Sequence, residues 1–140
     1  MKREIEFRAW DAKEKQMLEV NHLFNLDNKQ PIEVWTNHYE GGYRFNPNKS
    51  ELMQYAGLKD MNGVEIYEGD IVNVTWSRYD TEGENYAIAY DPNNDGYSAF
   101  DFVDWHEEMN GLSYAYIDGQ ITVIGNRFEN LELLEEQKSL

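Results

Sequence analysis

The clearest strand in the chain reads IVNVTW at residues 71–76 and follows the tight turn EGD at residues 68–70. Its β-branched residues alternate with other side chains and end on an aromatic one, which is typical of a strand with a buried face. Gly69 suits a turn conformation with positive φ, which a Cβ atom would penalise. The segment therefore predicts a tight turn that leads directly into a buried strand.

Similar short segments lie on both sides of this strand and are separated by turns rich in Gly, Asn and Asp. The predicted strands lie at residues 5–9, 17–20, 32–35, 52–55, 65–67, 86–90, 98–102 and 120–124. Strands of this length and spacing indicate an all-β fold with one or more small barrels. The turn at Gly69-Asp70 favours an SH3-like barrel element in the C-terminal part. Residues 131–140 suit a short terminal helix or a tail.

Turn signals set the expected limits of several segments. Gly57 is expected to end the strand at 52–55, and Asn62-Gly63 is expected to form a tight turn. The pairs Asn110-Gly111 and Asp118-Gly119 predict turns on either side of residues 114–117. A chain of 140 residues is expected to form a single domain. Division into two lobes, at 1–50 and 51–130 with a tail at 131–140, stays open.

The composition excludes several classes of protein. Twelve Lys and Arg against 27 Asp and Glu give a net charge of −15, which argues against direct nucleic-acid binding and against docking on an anionic membrane. The absence of Cys removes disulfides, thiolate zinc sites and Cys nucleophiles. No apolar run suits a signal peptide or a membrane helix, so we expect a cytoplasmic protein.

The acidic charge is concentrated in one part of the sequence. Between Arg78 and Arg127 there is no Lys or Arg, and ten acids are interleaved with nine aromatic residues. One interpretation is a solvated acidic face; the other is a docking surface for a basic partner. The candidate partner-binding acids are Asp80, Glu82, Glu84, Asp101, Asp104, Glu107 and Glu108.

A second candidate contact cluster lies near the N-terminus. Strand alternation places Arg8 and Trp10 on one side of the first strand and Phe7 on the other. Arg8 and Trp10 together suit either a surface cation–π pair or part of a contact site.

Known catalytic and metal-binding patterns do not fit the sequence. Residues 91–96 read DPNNDG, like the start of a calcium loop, but Phe102 stands where such a loop carries its bidentate Glu. The three histidines, His22, His38 and His106, show no zinc-site spacing. There is no nucleophile elbow, P-loop or dinucleotide turn. We therefore expect no catalytic residues, no metal and no cofactor.

Three segments resemble one family over nearly the whole chain. They are FRAWD at residues 7–11, LMQY to DIV at residues 52–72, and VIGN to LL at residues 123–134. In order and spacing they are similar to the YopX-like proteins of phages and prophages in Gram-positive bacteria. The resemblance implies a small, phage-encoded, all-β protein that contains a barrel, and it brings no catalytic residues to carry over.

The sequence leaves two main hypotheses for function, from different classes. The first is a non-enzymatic accessory protein that binds a host or phage protein through the acidic 79–126 region. One version of it is a DNA-mimic decoy, in which spaced carboxylates imitate phosphates. The alternative is a ligand-binding or enzymatic barrel whose pocket is lined by the aromatic residues of 76–116. A self-assembling homo-oligomer stays open as a third hypothesis.

Overall fold

The structure of the protein is a computed structural model, and it describes residues 6–12, 14–20, 22–24, 32–35, 42–45, 52–77, 82–90, 100–103, 105 and 110–138. The chain forms two compact units, Met1–Tyr55 and Ala56–Leu140. In chain order the elements are β1 (Phe7–Asp11), β2 (Gln16–Glu19), β3 (His22–Phe24), β4 (Ile32–Trp35), β5 (Gly42–Phe45), β6 (Leu52–Lys59), β7 (Glu65–Tyr67), β8 (Asp70–Thr75), β9 (Glu84–Tyr90), β10 (Phe100–Phe102), α1 (Gly111–Asp118), β11 (Gln120–Asn126) and α2 (Glu132–Lys138).

The fold is all-β, as the sequence predicts. The strand pairs are antiparallel, and one of the sheets curls into a half-barrel. A β-bulge shifts the register of β11 between Val123 and Gly125, and bulges of this kind bend and twist a strand. The predicted short terminal helix is confirmed as α2.

In the first unit, β1 is the central strand of the order β2-β1-β6. It pairs with β2 through Ala9 and Leu18, and with β6 through Arg8 and Met53. The buried apolar residues of this unit are Ala9, Trp10, Leu18, Met53 and Tyr55. A separate sheet of this unit has the order β3-β4-β5. The strands predicted at 17–20 and 32–35 are therefore present.

The expectation that Gly57 ends its strand is wrong. Strand β6 continues from Leu52 to Lys59, and Gly57 lies inside it with a φ of +86°. Nothing lies within 4 Å of the Cβ position of Gly57, so the backbone conformation, and not crowding, favours glycine there. Glycine acts here as a local bend within a strand and not as its end.

In the second unit, the four-stranded sheet has the order β10-β9-β8-β11. Its register pairs Val72 with Tyr86, and Val74 with both Glu84 and Ile121. Residues of alternating position therefore share one side of the sheet, and this side carries the core of the unit. The core residues are Ile66, Val72, Val74, Ile88, Phe100, Phe102, Leu112, Ala115 and Ile121.

The prediction of turns around residues 114–117 is wrong, because residues 111–118 form helix α1. Asn110 has an extended backbone, and its side chain accepts a hydrogen bond from the backbone N–H of Ser113 at 2.9 Å. This is the geometry of a helix N-cap, a position that Asn favours as strongly as it favours turns. Leu112 and Ala115 bury one side of the helix against the sheet.

The opposite side of the sheet is more polar and contacts α2. The side chain of Asn73 donates to Asn85 Oδ1 at 2.9 Å, and Asn85 Nδ2 donates to the carbonyl of Leu133 at 3.0 Å. The terminal helix is thus fixed to strand β9 by a side chain 48 residues earlier. This leaves the helix α1 side as the apolar side of the sheet.

Candidate functional site

Five aromatic rings pack against one another in the second unit and are called here the aromatic cluster: Trp76, Tyr86, Phe102, Trp105 and Tyr114. Tyr86 stacks on Phe102 with ring centroids 4.5 Å apart, and Trp105 meets both rings edge-on at 5.6 and 5.5 Å. Trp76 lies 6.0 Å from Trp105 and 5.2 Å from Tyr114. The cluster therefore forms a continuous path from the sheet core to the surface of α1.

Strand register explains why rings so distant in sequence meet. Tyr86 lies opposite Val72, and Phe102 lies opposite Ile88. All four side chains share the core side of the sheet because strand side chains alternate. Trp76 is two residues beyond Val74, so it extends the same side past the end of β8. The sheet thus builds the cluster from residues that one strand alone could not bring together.

The rings of the aromatic cluster differ in their exposure to solvent. Phe102 is buried, Trp76, Tyr86 and Trp105 are half-buried, and Tyr114 is 39% exposed. Gly111 allows α1 to approach the buried end, because a Cβ there would lie 2.6 Å from Trp105 and 2.7 Å from Phe102. The aromatic residues of 76–116 that the structure describes therefore include both core and surface rings.

Glu84 lies at the edge of this cluster and is exposed. The hydroxyl of Tyr86 donates a hydrogen bond to Glu84 Oε2. Partial burial of the phenol, the hydrogen bond to Glu84 and the charge of Glu84 together raise the pKa of Tyr86. The phenol therefore stays protonated at neutral pH and holds the carboxylate in place at the surface.

The start of α1 is fixed by two side chains besides the helix backbone. Asp101 Oδ1 accepts hydrogen bonds from the N–H of Gly111 at 2.8 Å and of Leu112 at 3.3 Å. A carboxylate is favourable at a helix N-terminus, where N–H groups lack helical partners. Asn110 Nδ2 donates to the carbonyl of Phe100 at 2.9 Å. These bonds hold α1 against strand β10.

Along the outer edges of the sheet, on β10 and β11, several outward-facing backbone groups already have hydrogen-bond partners. On β10, Asn110 Nδ2 contacts the Phe100 carbonyl, and Asp101 Oδ1 accepts from the Phe102 N–H at 2.7 Å. On β11, the Met61 N–H donates to the Ile121 carbonyl, and Asp60 Oδ2 accepts from the Val123 N–H. An extended partner would find these backbone groups already bonded.

Asp60 is a buried carboxylate that the sequence reading did not single out. It is 7% exposed, and Oδ1 accepts from the N–H groups of Asn62 and Val64 within the predicted Asn-Gly turn. Burial acts to raise the pKa of Asp60, but the backbone hydrogen bonds from Val123, Val64 and Asn62 outweigh it and lower the pKa. An Asp two residues before Asn-Gly was the available sequence signal, since Asp favours such turns.

Three of the seven predicted acids fall within the described residues. Glu82 and Glu84 are exposed, whereas Asp101 is half-buried and bonded to the start of α1. Asp80, Asp104, Glu107 and Glu108 lie outside the described residues, as does the DPNNDG segment. A docking role for these acids stays a prediction.

The second candidate contact cluster, Arg8 and Trp10, lies in the first unit. Trp10 is only 8% exposed and packs in the core of that unit, while Arg8 is half-buried and lies opposite Glu19 in the register. Most of the indole of Trp10 is thus turned away from solvent. A contact role for Arg8 and Trp10 stays a prediction.

The described part of the chain shows neither a metal-ion site nor a membrane-spanning helix. Among those residues, no three acids or histidines lie where they could hold one metal ion. No helix within the described ranges is long and apolar enough to cross a membrane.

Comparison with known proteins gives a consistent family assignment. The family described as YopX protein matches residues 6–135. The crystal structure of protein EF1440 from Enterococcus faecalis is similar, with 34% sequence identity and a TM-score of 0.60; the match covers 95% of this chain and 99% of that one. No curated protein matches the chain. Because the match spans almost all of the sequence, the chain belongs to the YopX protein family.

Proposed function

We propose that this protein is a phage- or prophage-encoded, non-enzymatic accessory factor that binds a basic protein in the cytoplasm of a bacterial host. The observation that carries the proposal is Glu84, exposed at the edge of the aromatic cluster and held by the Tyr86 hydroxyl. Aromatic rings beside carboxylates are suited to protein contacts with cationic side chains.

Charge supports the same function. The region between Arg78 and Arg127 carries ten acids and no Lys or Arg. A surface of one sign steers an oppositely charged partner and makes its binding sensitive to salt. The DNA-mimic decoy is the version of this proposal in which the partner is a DNA-binding protein.

A matched pair of charge variants tests the proposal. The first variant is Glu82→Lys with Glu84→Lys, and the control is Glu132→Lys with Glu135→Lys on α2, where both acids are also exposed. Both variants change the net charge equally. Tagged wild type, variant and control are used to capture proteins from host-cell lysate at low and high salt, with melting temperatures recorded to show that each is folded.

The proposal expects a protein captured at low salt by wild type and by the α2 control, and lost with the Glu82/Glu84 variant. Release of that protein by added duplex DNA would support the decoy version. Capture that is equal for both variants, capture insensitive to salt, or no capture in either buffer would each contradict the proposal.

The aromatic cluster also suggests a second candidate, a small-molecule site. Half-buried Trp76 and Trp105 are the kind of side chains that line sugar or nucleobase sites. The close approach of Gly111 to Trp105 and Phe102 argues instead for rings packed on one another. A thermal-shift screen distinguishes the two, since a ligand of the folded state must raise the melting temperature.

A further inference from the structure

Helix α1 has an unusual composition for a helix at the surface of a protein. Its sequence, GLSYAYID, carries one charged residue, Asp118, at the last position. Leu112 and Ala115 are buried, but Tyr114, Tyr116 and Ile117 are 39%, 55% and 77% exposed. A surface helix normally presents polar and charged residues to solvent, and a helix that is apolar all round is normally covered on all sides.

We infer that the α1 outer face, formed by Tyr114, Tyr116 and Ile117, docks a cationic amphipathic segment of the partner protein. This rests on the proposed function and names the class of partner. Apolar side chains of the segment cover Ile117 and Tyr116, and its Lys or Arg side chains reach the neighbouring carboxylates. Exposed large apolar residues that lie together mark interaction surfaces more often than isolated ones do.

The cationic character follows from what adjoins the α1 outer face. The ring of Tyr114 contacts Trp76 at 5.2 Å. Val74 and Glu84 are cross-strand partners, so Trp76, two residues further along, lies on the same side of the sheet as Glu84. The aromatic cluster that Tyr114 joins thus carries the carboxylate of Glu84 at its edge, and Asp118 is exposed at the end of the helix.

A second copy of this chain is a poor occupant for the same face. Each copy carries a net charge of −15, and neither has Lys or Arg between residues 79 and 126. Two such faces would bring like charges together, which is unfavourable. Strand addition is also disfavoured, because the β10 and β11 edges are bonded at Phe100, Phe102, Ile121 and Val123.

The probes are two synthetic peptides of equal charge. One is an amphipathic helix former of about 18 residues made of Leu and Arg, and the other has Ser in place of every Leu. Binding to the full-length protein is measured by anisotropy of the labelled peptides. Because a buried Leu or Ile side chain contributes strongly to affinity, we expect the Leu-containing peptide to bind at least about tenfold more tightly.

Three variants locate the binding. The α1 variant, Ile117→Ser combined with Tyr116→Ser, is expected to bind the Leu-containing peptide about tenfold more weakly and the Ser-containing peptide with unchanged affinity. Leu131→Ser, at a residue 50% exposed outside α1, is the control and is expected to change neither. The variant Glu82→Lys with Glu84→Lys is expected to bind both peptides more weakly.

The outcomes separate the inference from the proposed function. In one outcome, the α1 variant binds the Leu-containing peptide as tightly as wild type does, while the Glu82/Glu84 variant binds both peptides more weakly. The inference is then wrong and the proposed function stands. If neither peptide binds the wild type, both are wrong. If sedimentation shows a wild-type dimer that the α1 variant dissociates, a second copy occupies the face and the inference is overturned.

Discussion

The carboxylate of Asp60 accepts a hydrogen bond from the backbone N–H of Val123, with 2.9 Å between Oδ2 and N, across 63 residues of sequence. The other oxygen of the same carboxylate bonds the Asn62 and Val64 N–H groups. One side chain therefore shapes its own turn and fixes that turn to strand β11. It also covers a backbone donor at the edge of the sheet.

Replacing Asp60 with Asn is expected to reduce the free energy of unfolding by about 1–3 kcal/mol, because one side-chain oxygen becomes an NH2 group facing a backbone N–H. Chemical denaturation of wild type and Asp60→Asn at pH 7 measures this. Met61→Ser, at an exposed neighbour, is the control and is expected to stay within about 0.5 kcal/mol of wild type. Equal stability of wild type and Asp60→Asn would contradict the prediction.

The stabilisation by Asp60 should depend on pH with a defined sign. The pKa of Asp60 is lowered below its ordinary value of 3.8 in the folded protein. Its contribution is therefore complete above the unfolded pKa and is lost as the pH falls through the folded pKa. The stability difference between wild type and Asp60→Asn should narrow below about pH 4. A stability difference that widens below this pH would contradict the prediction.

Tyr86 should titrate above the ordinary pKa of a tyrosine. Its pKa is raised by partial burial and by the bond and charge of Glu84, so its stabilising contribution is present below the unfolded pKa of about 10 and is lost as the pH rises through the folded pKa. Absorbance of tyrosinate in alkaline titration should show a late-titrating group that is absent in Tyr86→Phe. In Glu84→Gln that group should titrate earlier, and a Glu84→Gln profile identical to wild type would show that Glu84 has no such effect.

Gly111 should resist replacement even by Ala, the best helix former. Ala gains about 1 kcal/mol of helix propensity over Gly. Its Cβ would lie 2.6 Å from Trp105 and 2.7 Å from Phe102, which forces rigid rings apart at a cost of about 1–3 kcal/mol. We expect Gly111→Ala to melt at a lower temperature than wild type, and Ser113→Ala in the same helix to melt close to it. A higher melting temperature for Gly111→Ala would show that the rings relax freely.

Asn110 should act both as a helix cap and as a donor to strand β10. Asn110→Ala removes the bond from Ser113 N–H and the bond to the Phe100 carbonyl, so about 2 kcal/mol of stability should be lost. Asn110→Ser keeps a capping oxygen and should recover about 1 kcal/mol. If Ser and Ala destabilise equally, capping contributes nothing here and the bond to Phe100 accounts for the loss.

Most strands were predictable because their signals are local. The alternation in residues 71–76 and the Asn62-Gly63 turn need only neighbouring residues to be recognised, and both are present in the structure. The hydrogen bond between Tyr86 and Glu84 is also predictable from the sequence, since residues two apart on a strand share a side.

Helix α1 was not predictable in the same way. Its apolar residues lie both on the buried side, at Leu112, and on the exposed side, at Ile117, so no helical period stands out. Asn110-Gly111 fits a turn as well as a helix cap, and the hydrogen bond from the Ser113 N–H to Asn110 Oδ1 distinguishes the two. A pattern rule fails where the same dipeptide satisfies two local conformations.

The sequence by itself determined the all-β class, most strand positions, the acidic charge and the YopX resemblance. These depend on composition, alternation and turn chemistry, which act over a few residues. The tertiary structure alone decided that Asp60 bonds Val123, that Trp76 meets Tyr114, and that Tyr116 and Ile117 face solvent. Such relationships depend on strand register and on the packing of distant segments, which local patterns do not encode.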